Sequence, residues 1–145
     1  MDHHQRRQSG IYPTQVKTHN CHNIMKHFSI LLCLMSFVGC KAADFRSVDA
    51  ETFAQVIEDT TVVRLDVRTA NEYTQGHIPN ALLIDVTQAD FMQKAEQLLP
   101  KDKTIALYCR SGRRSKKAAM QLAQHGYQVV ELNTGFNSWK GEVEQ

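Results

Sequence analysis

A short apolar segment that stops at a cysteine constrains the fold of this chain more than any other feature. Residues 105–108 have the pattern of a strand buried in a parallel sheet. Cys109 follows directly, then a polar loop that contains one glycine, and a helical pattern opens at Ser115. A strand, a tight loop and a helix in this order predict an α/β fold, with Cys109 at the carboxyl edge of the sheet, where such folds bind ligands.

The loop after the cysteine has the composition of an anion-binding site. Its members supply backbone N–H groups, a glycine that permits close approach, hydroxyls and guanidinium groups: Arg110, Ser111, Gly112, Arg113, Arg114 and Ser115. Nearby cations and the N-terminal end of a helix lower the pKa of a thiol, and the thiolate is the nucleophile. We therefore predict that Cys109 is a catalytic nucleophile or a covalent sulfur carrier and that the loop binds its substrate. The alternative is a buried structural cysteine beside a solvated basic turn.

Composition limits the other possibilities. The 145 residues allow one domain of ordinary size and a tail. Residues 41–145 hold 13 Lys/Arg and 14 Asp/Glu, so positive charge is local to the loop and no nucleic-acid partner is predicted. The seven histidines are scattered, so the sequence predicts neither a metal site nor a cofactor.

The first 40 residues have the pattern of a targeting segment. Residues 1–24 are polar and without periodicity, so we expect them to be disordered or to lie upstream of the true start, Met25. Residues 25–40 combine a basic opening, an apolar run too short to span a membrane and a small residue near the end, which predicts a signal peptide. Residues 41–44 form a linker to the folded domain.

The end of the signal peptide resembles the lipobox of bacterial lipoproteins. Val38 and Gly39 precede Cys40, although Phe37 occupies a position where leucine is usual, so ordinary signal-peptidase cleavage is the alternative. We expect export to the bacterial cell envelope or periplasm, with a lipid on Cys40 as the membrane anchor. Cys109 would then be the one free thiol of the exported protein, which excludes a disulfide within the domain.

Strand and helix patterns alternate through the rest of the chain. The predicted strands are 45–48, 61–67, 81–85, 104–108 and 127–132. The predicted helices are 50–57, 71–74, 88–99 and 115–125, with Asp49 and Thr69 as caps and a terminal turn at 135–140. This order predicts a mainly parallel central sheet with helices on both faces.

Three motifs give residues 45–143 a resemblance to a single rhodanese (sulfurtransferase) domain. The first is Leu-Asp-Val-Arg at 65–68, with Glu72, Tyr73 and Gln-Gly-His-Ile-Pro-Asn-Ala at 75–81. The second is Cys-Arg-Ser-Gly-Arg-Arg-Ser at 109–115. The third is Asn-Thr-Gly-Phe-Asn-Ser-Trp at 133–139, where Thr134 stands at a position in which glycine is common.

The resemblance implies a sulfurtransferase with a covalent intermediate. Cys109 would take the outer sulfur of thiosulfate or of a persulfide donor and pass it to cyanide, a small thiol or a protein thiol. The three loop arginines would attract the anionic donor. Asp66 and Arg68 would form an ion pair that supports the sheet edge, and His77 a hydrogen bond within a turn. We expect a monomer.

Two other functions remain open at this stage. One is a non-enzymatic sulfur carrier or binding module. The other is a cysteine phosphatase or arsenate reductase, which related folds also host. Those enzymes need a Cys-x5-Arg loop, and the position of that arginine is occupied by Ser115. Arg114 closes a loop one residue shorter, a size that favours a single sulfur atom.

Overall fold

The computed structural model describes residues 44–145. The predicted signal peptide, the predicted lipid anchor at Cys40 and nearly all of the linker lie outside the described residues. Within residues 44–145, no helix has the length and apolar character needed to cross a membrane.

A five-stranded sheet forms the centre of the domain. Its strands are β1 (Arg46–Val48), β2 (Val63–Asp66), β3 (Leu82–Leu83), β4 (Thr104–Tyr108) and β5 (Gln128–Leu132). They are ordered β1-β5-β4-β2-β3, and every neighbouring pair is parallel. The strand that precedes Cys109 is therefore the middle one, flanked by β5 and β2.

Four helices connect the strands. They are α1 (Ala50–Glu58), α2 (Ala70–Thr74), α3 (Phe91–Leu98) and α4 (Arg113–Gln124), and a 3-10 turn follows at Phe136–Ser138. The two predicted caps are confirmed. The Asp49 carboxylate accepts the Thr52 N–H at 2.8 Å, and Thr69 begins α2 with a reciprocal capping box.

The core has two halves, one on each face of the sheet. On one face, α3 and α4 pack small and apolar side chains such as Phe91, Ala118 and Leu122 against the sheet. On the other face, Phe53 and Ile57 of α1 pack against the sheet. Because both faces are covered, the strands read as apolar runs, and the predicted fold class is confirmed.

Several element boundaries differ from the predicted ones. Helix α4 begins at Arg113, two residues before the predicted start at Ser115, because Gly112 adopts a left-handed conformation (φ +92°) that turns the chain directly into the helix. Helix α3 begins only at Phe91, because two successive turns occupy residues 85–91. Strands β2 and β3 are shorter than predicted.

Candidate active site

Cys109 lies immediately after the central strand, with its sulfur inside the loop that leads to α4. The Gly112 N–H donates to Sγ at 3.2 Å. Burial alone would raise the pKa of the Cys109 thiol, but hydrogen bonds from the Ser115 hydroxyl and from the N–H groups of Ser115, Ser111 and Gly112 outweigh it and lower the pKa. The loop therefore favours the thiolate, the form of cysteine that attacks electrophiles.

Two glycines permit the tight packing of this loop. Gly112 has φ +92°, and a Cβ added to it would lie 1.9 Å from the Asn133 carbonyl oxygen. Gly135 has φ +65°, and its added Cβ would lie 2.6 Å from the Cys109 carbonyl oxygen. Both positions exclude any side chain, so the loop and the segment after β5 fit together only with glycine at each.

The 3-10 turn fixes the loop from the other side. The Phe136 N–H donates to the Cys109 carbonyl oxygen at 2.7 Å, and the Asn137 N–H donates to that of Arg110 at 3.0 Å. The turn thus binds two carbonyl oxygens of the loop, while the N–H groups of Ser111, Gly112 and Ser115 act on the sulfur. The third sequence motif thus shapes the site through its backbone.

The three loop arginines have different surroundings. Arg114 donates to Glu72 with both terminal nitrogens, at 2.8 and 2.7 Å. Arg110 also pairs with Glu72, at 3.1 Å, but its side chain is 60% exposed. Arg113 is exposed and has no ion-pair partner among residues 44–145. Glu72 therefore binds two of the three guanidiniums, and the role of the three arginines in attracting the donor stays a prediction.

Arg114 is the arginine that faces the thiol. Its hydrogen bonds to Glu72 contribute most to raising its pKa, and the nearby Cys109 thiolate adds to the effect. In turn, the Arg114 guanidinium holds the pKa of Glu72 at about 2. Glu72 belongs to the capping box of α2, so the helix N-terminus, the arginine and the loop are joined by one carboxylate.

The supporting residues of the first motif are placed as predicted. Arg68 binds Asp66 with Nε at 3.0 and 2.9 Å and with Nη2 at 2.6 Å, so the predicted ion pair is confirmed. The His77 ring stacks on Tyr73, and its Nδ1 lies 3.1 Å from the Tyr73 carbonyl oxygen. Within residues 44–145, neither Arg68 nor His77 forms a hydrogen bond to the Cys109 sulfur.

A family model described as "Rhodanese-like domain" matches residues 49–142. The chain belongs to this family. It is 37% identical over 94 residues to a sulfurtransferase of Allochromatium vinosum, a match that covers 63% of this chain and 85% of that protein. It is 30% identical over 87 residues to the thiosulfate sulfurtransferase GlpE of Coxiella burnetii, which covers 59% of this chain and 78% of that one.

The fold comparison gives the same family. A rhodanese-related protein from Thermoplasma volcanium superposes with a TM-score of 0.61 at 29% identity, over 69% of this chain and 98% of that one. The five parallel strands and two-sided helical cover are therefore those of a rhodanese-like domain.

Access to the sulfur of this rhodanese-like domain is narrow. Cys109 is 1% exposed, so Sγ offers very little surface to a reactant in this structure. Two surface depressions of about 430 and 550 Å³ are lined by other residues. Neither depression includes Cys109, so the loop that holds the sulfur, its hydrogen-bond donors and Arg114 is the candidate active site.

Sequence reasoning missed several members of this rhodanese-like site. It quoted Glu72 only as part of a motif, although Thr69 three residues before it is the sequence signal of a capping box. It assigned Ser115 to substrate binding, which stays a prediction; the Ser115 side chain is fully buried, and its hydroxyl bonds the Gly112 carbonyl oxygen and Glu131. Ser111, which was also assigned to substrate binding, is exposed to solvent. Within residues 44–145, no cluster of metal-binding side chains is present.

Proposed function

We propose that this protein is a sulfurtransferase that moves sulfane sulfur from thiosulfate or a persulfide donor to a thiol or cyanide, through a persulfide on Cys109. The observation that carries the proposal is the Cys109 sulfur, surrounded by loop N–H groups that lower its pKa. The sulfurtransferase names of its relatives support the reaction class.

The first half-reaction loads the cysteine. The Cys109 thiolate attacks the outer sulfur of thiosulfate, a sulfur–sulfur bond forms, and the bond of the donor breaks as sulfite leaves with its electron pair. The negative charge then resides on the outer sulfur of the persulfide. The N–H groups of Ser111, Gly112 and Ser115 are suited to stabilise that charge, since they face the sulfur position.

The second half-reaction removes the outer sulfur from the Cys109 persulfide. A thiolate or cyanide attacks the outer sulfur, the persulfide bond breaks, and Cys109 is regenerated as a thiolate. The products are a persulfide of the acceptor or thiocyanate. Because donor and acceptor react in turn with the same sulfur, ping-pong kinetics are expected. No group other than the chain, the donor and the acceptor is needed to balance either step.

Arg114 is the residue proposed to attract the anionic donor through its charge, a role that leaves its pair with Glu72 intact. The Cys109 thiolate helps to raise the pKa of Arg114, whereas Arg110 and Arg113 are exposed. The pairing with Glu72 also argues against a phosphatase. Both terminal nitrogens of Arg114 already bind carboxylate oxygens, so a bidentate grip on a phosphoryl group would require breaking that pair.

A non-enzymatic sulfur carrier is the second candidate. The narrow access to Cys109 favours it, because a site that is 1% exposed suits one docked partner better than many free small molecules. Turnover separates the two functions. An enzyme transfers sulfur from thiosulfate to cyanide repeatedly, whereas a carrier is loaded once and passes sulfur on only to its partner.

The deciding experiment measures thiocyanate formed from thiosulfate and cyanide. We expect turnover that Cys109→Ser abolishes, and a mass increase of one sulfur atom on the tryptic peptide 104–110 after thiosulfate treatment alone. Ser111→Ala is a suitable control, since its exposed side chain can be removed while its N–H remains. Turnover of para-nitrophenyl phosphate without any sulfur adduct would contradict the assignment.

We also propose that the protein is exported and anchored by a lipid on Cys40. The proposal rests on the basic opening, apolar run and Gly39-Cys40 ending of residues 25–40. Mass spectrometry of the membrane fraction should find an acylated Cys40 at the mature N-terminus, and Cys40→Ser should release the protein from that fraction. An uncut N-terminus in the membrane fraction would contradict it.

A further inference from the structure

The surface beside the catalytic loop carries an unbalanced run of positive charge. Residues 103–130 hold six Lys/Arg and no Asp/Glu, whereas the other described residues hold six Lys/Arg and 14 Asp/Glu. Arg113, Lys116 and Lys117 are exposed on one face of α4 at i, i+3 and i+4, and the exposed Met120 extends that face. We call these four residues the α4 stripe. None of its cations forms an ion pair with a carboxylate of residues 44–145.

The α4 stripe opposes the local stability of its own helix. The N-terminal end of a helix is electropositive and favours acidic residues, yet the first turn of α4 contains none. Like charges three and four positions apart also repel each other. Glu72 compensates Arg110 and Arg114 but leaves the stripe unpaired. A local arrangement that costs stability without a compensating contact is typical of a functional surface.

We propose that the α4 stripe docks an acidic surface of the protein whose cysteine receives sulfur from Cys109, an inference that rests on the proposed function. The stripe begins next to Gly112, whose N–H donates to Sγ, so a partner bound to the stripe lies beside the loop that holds the sulfur. A partner that carries acidic side chains complements the charge of the stripe and is attracted over a distance. A lipid surface laid over the same face would cover that loop, which is why a protein acceptor is the better fit.

The test uses synthetic pentapeptides with a central cysteine flanked by glutamates, glutamines or lysines. The full chain is first treated with thiosulfate to form the Cys109 persulfide. The kcat/KM for each peptide is then divided by the fraction of its cysteine that is ionised. We expect the glutamate peptide to exceed the glutamine peptide by about tenfold at low salt and the difference to disappear at about 0.5 M salt. The paired substitution Lys116→Glu with Lys117→Glu should abolish or invert the preference. Arg46→Glu with Lys140→Glu is the matched control and should retain it, because both cations are exposed, lie outside residues 103–130 and form no ion pair among residues 44–145.

Dithiothreitol as acceptor separates the possible failures. If the chain does not transfer sulfur to dithiothreitol, the proposed function itself fails. If dithiothreitol is used normally but the peptides react alike at every salt concentration, only the docking inference is overturned. It is also overturned if the Lys116 and Lys117 substitutions leave the peptides unaffected but remove binding to phosphatidylglycerol vesicles.

A second observation, independent of the α4 stripe, concerns a buried carboxyl group behind the loop. Glu131 of β5 is fully buried, and its oxygens accept hydrogen bonds from the Ser47 and Ser115 hydroxyls, each at 2.6 Å. No Lys, Arg or His of residues 44–145 forms an ion pair with it. The Ser115 hydroxyl also lies 2.9 Å from the Gly112 carbonyl oxygen, and its hydrogen bonding helps to lower the pKa of the Cys109 thiol. A hydroxyl has one proton, so it donates to only one of these acceptors at a time.

We infer that Glu131 is a positioning residue, which decides whether the Ser115 hydroxyl donates its proton to the carboxylate or to the Cys109 sulfur. The groups that face Glu131 are few. Strand β1 presents Ser47, helix α4 presents Ser115, and β4 presents the apolar Leu107 opposite it. Cys109, reached through Ser115, is therefore the titratable group on which Glu131 acts.

The test follows alkylation of Cys109 by iodoacetamide as a function of pH, read on the tryptic peptide 104–110 of the full chain. Glu131→Gln replaces the carboxyl group that accepts the Ser115 proton with an amide, so the midpoint should fall by about half a unit, or about threefold in thiolate fraction. Ser47→Ala removes the competing donor, strengthens the bond from Ser115 to Glu131, and should move the midpoint the other way. If Glu131 had only a structural role, Glu131→Gln and Ser47→Ala would not shift the alkylation midpoint in opposite directions.

The Ser115→Ala background shows whether the effect passes through the hydroxyl. There, Glu131→Gln should lose most of its shift. The inference is overturned if Glu131→Gln leaves the midpoint unchanged, or if it produces the same shift with and without the Ser115 hydroxyl, since that outcome indicates a direct field effect. Alkylation does not depend on sulfur transfer, so this result stands apart from that of the thiosulfate assay.

Discussion

Asp66 and Glu131 are two fully buried carboxyl groups near the carboxyl edge of the same sheet, on strands that flank β4 from opposite sides. Asp66 is bound by Arg68 through three hydrogen bonds from the guanidinium and by the Arg68 N–H. Among residues 44–145, the Glu131 carboxyl group is bound only by two serine hydroxyls. The first carboxyl group is matched by a cation, and the second is coupled to the reactive sulfur through one shared proton.

The difference shows how a similar location can serve support or chemistry. Arg68 also donates to the Gly76 carbonyl oxygen and lies over the Phe136 ring, so the Asp66 pair ties β2, the loop after α2 and the 3-10 turn into one unit. A carboxylate held by a cation has little freedom to change its partners. Hydroxyl partners can reorient, and a carboxylate that they satisfy can respond to changes in the site.

The largest effect is expected from Asp66→Asn. The substitution leaves the buried Arg68 guanidinium without its counter-charge, which typically costs about 3–5 kcal/mol in the free energy of unfolding. Urea denaturation of the full chain measures the change, and the exposed Asp102→Asn is the control with the same chemical change. A loss below about 1 kcal/mol would mean that the Asp66 pair is no more structural than the Glu131 contacts, and the comparison would fail.

The sequence predicts the strands and helices well because their burial is periodic. Residues 104–108 are predicted with the bounds that β4 has, since that strand is covered on both faces. The loop is predicted less completely. Its cysteine and glycine are visible, but the left-handed conformation of Gly112 that begins α4 early depends on Asn133 across the fold.

Long-range pairing is what the sequence leaves undetermined. Arg114 and Glu72 are 42 positions apart, and Ser115 and Glu131 are 16 apart, so no local spacing announces either contact. From the sequence alone, the three arginines next to Cys109 look like three unpaired charges. Only the fold brings the Glu72 carboxylate to two of them. The predicted ion pair of Asp66 and Arg68, in contrast, lies within one short motif, and that proximity made it readable.

An intermediate effect is expected from Glu72→Gln, which tests a third, partly buried carboxylate. Its pKa is lowered from 4.5 to about 2 by the hydrogen bonds from Arg114. A lowered pKa in the folded state means that the stabilisation is fully present above about pH 4.5 and is lost as the pH falls toward about 2. At neutral pH the substitution should cost roughly 2–3 kcal/mol in the free energy of unfolding.

Denaturation at two pH values checks the sign of this effect. The wild-type chain and Glu72→Gln should differ clearly at pH 7 and converge as the pH approaches 2, because the carboxylate that distinguishes them becomes protonated. The exposed Glu51→Gln provides the background for general acid destabilisation. A difference in the free energy of unfolding that grows on acidification would show that Arg114 does not stabilise the Glu72 carboxylate. The charge of Arg114 would then be free to act in the site.

The smallest effect on stability is expected from Glu131→Gln, and this contrast with Asp66→Asn is the sharpest form of the comparison. The amide keeps the shape of the side chain, can still bond both serines and leaves no cation unpaired, so the free energy of unfolding should change by less than about 1 kcal/mol. Denaturation of this variant beside the exposed Glu58→Gln measures the difference. A loss as large as that of Asp66→Asn would show that Glu131 holds the sheet edge together, whereas a small loss combined with a shifted alkylation midpoint separates its chemical role from support.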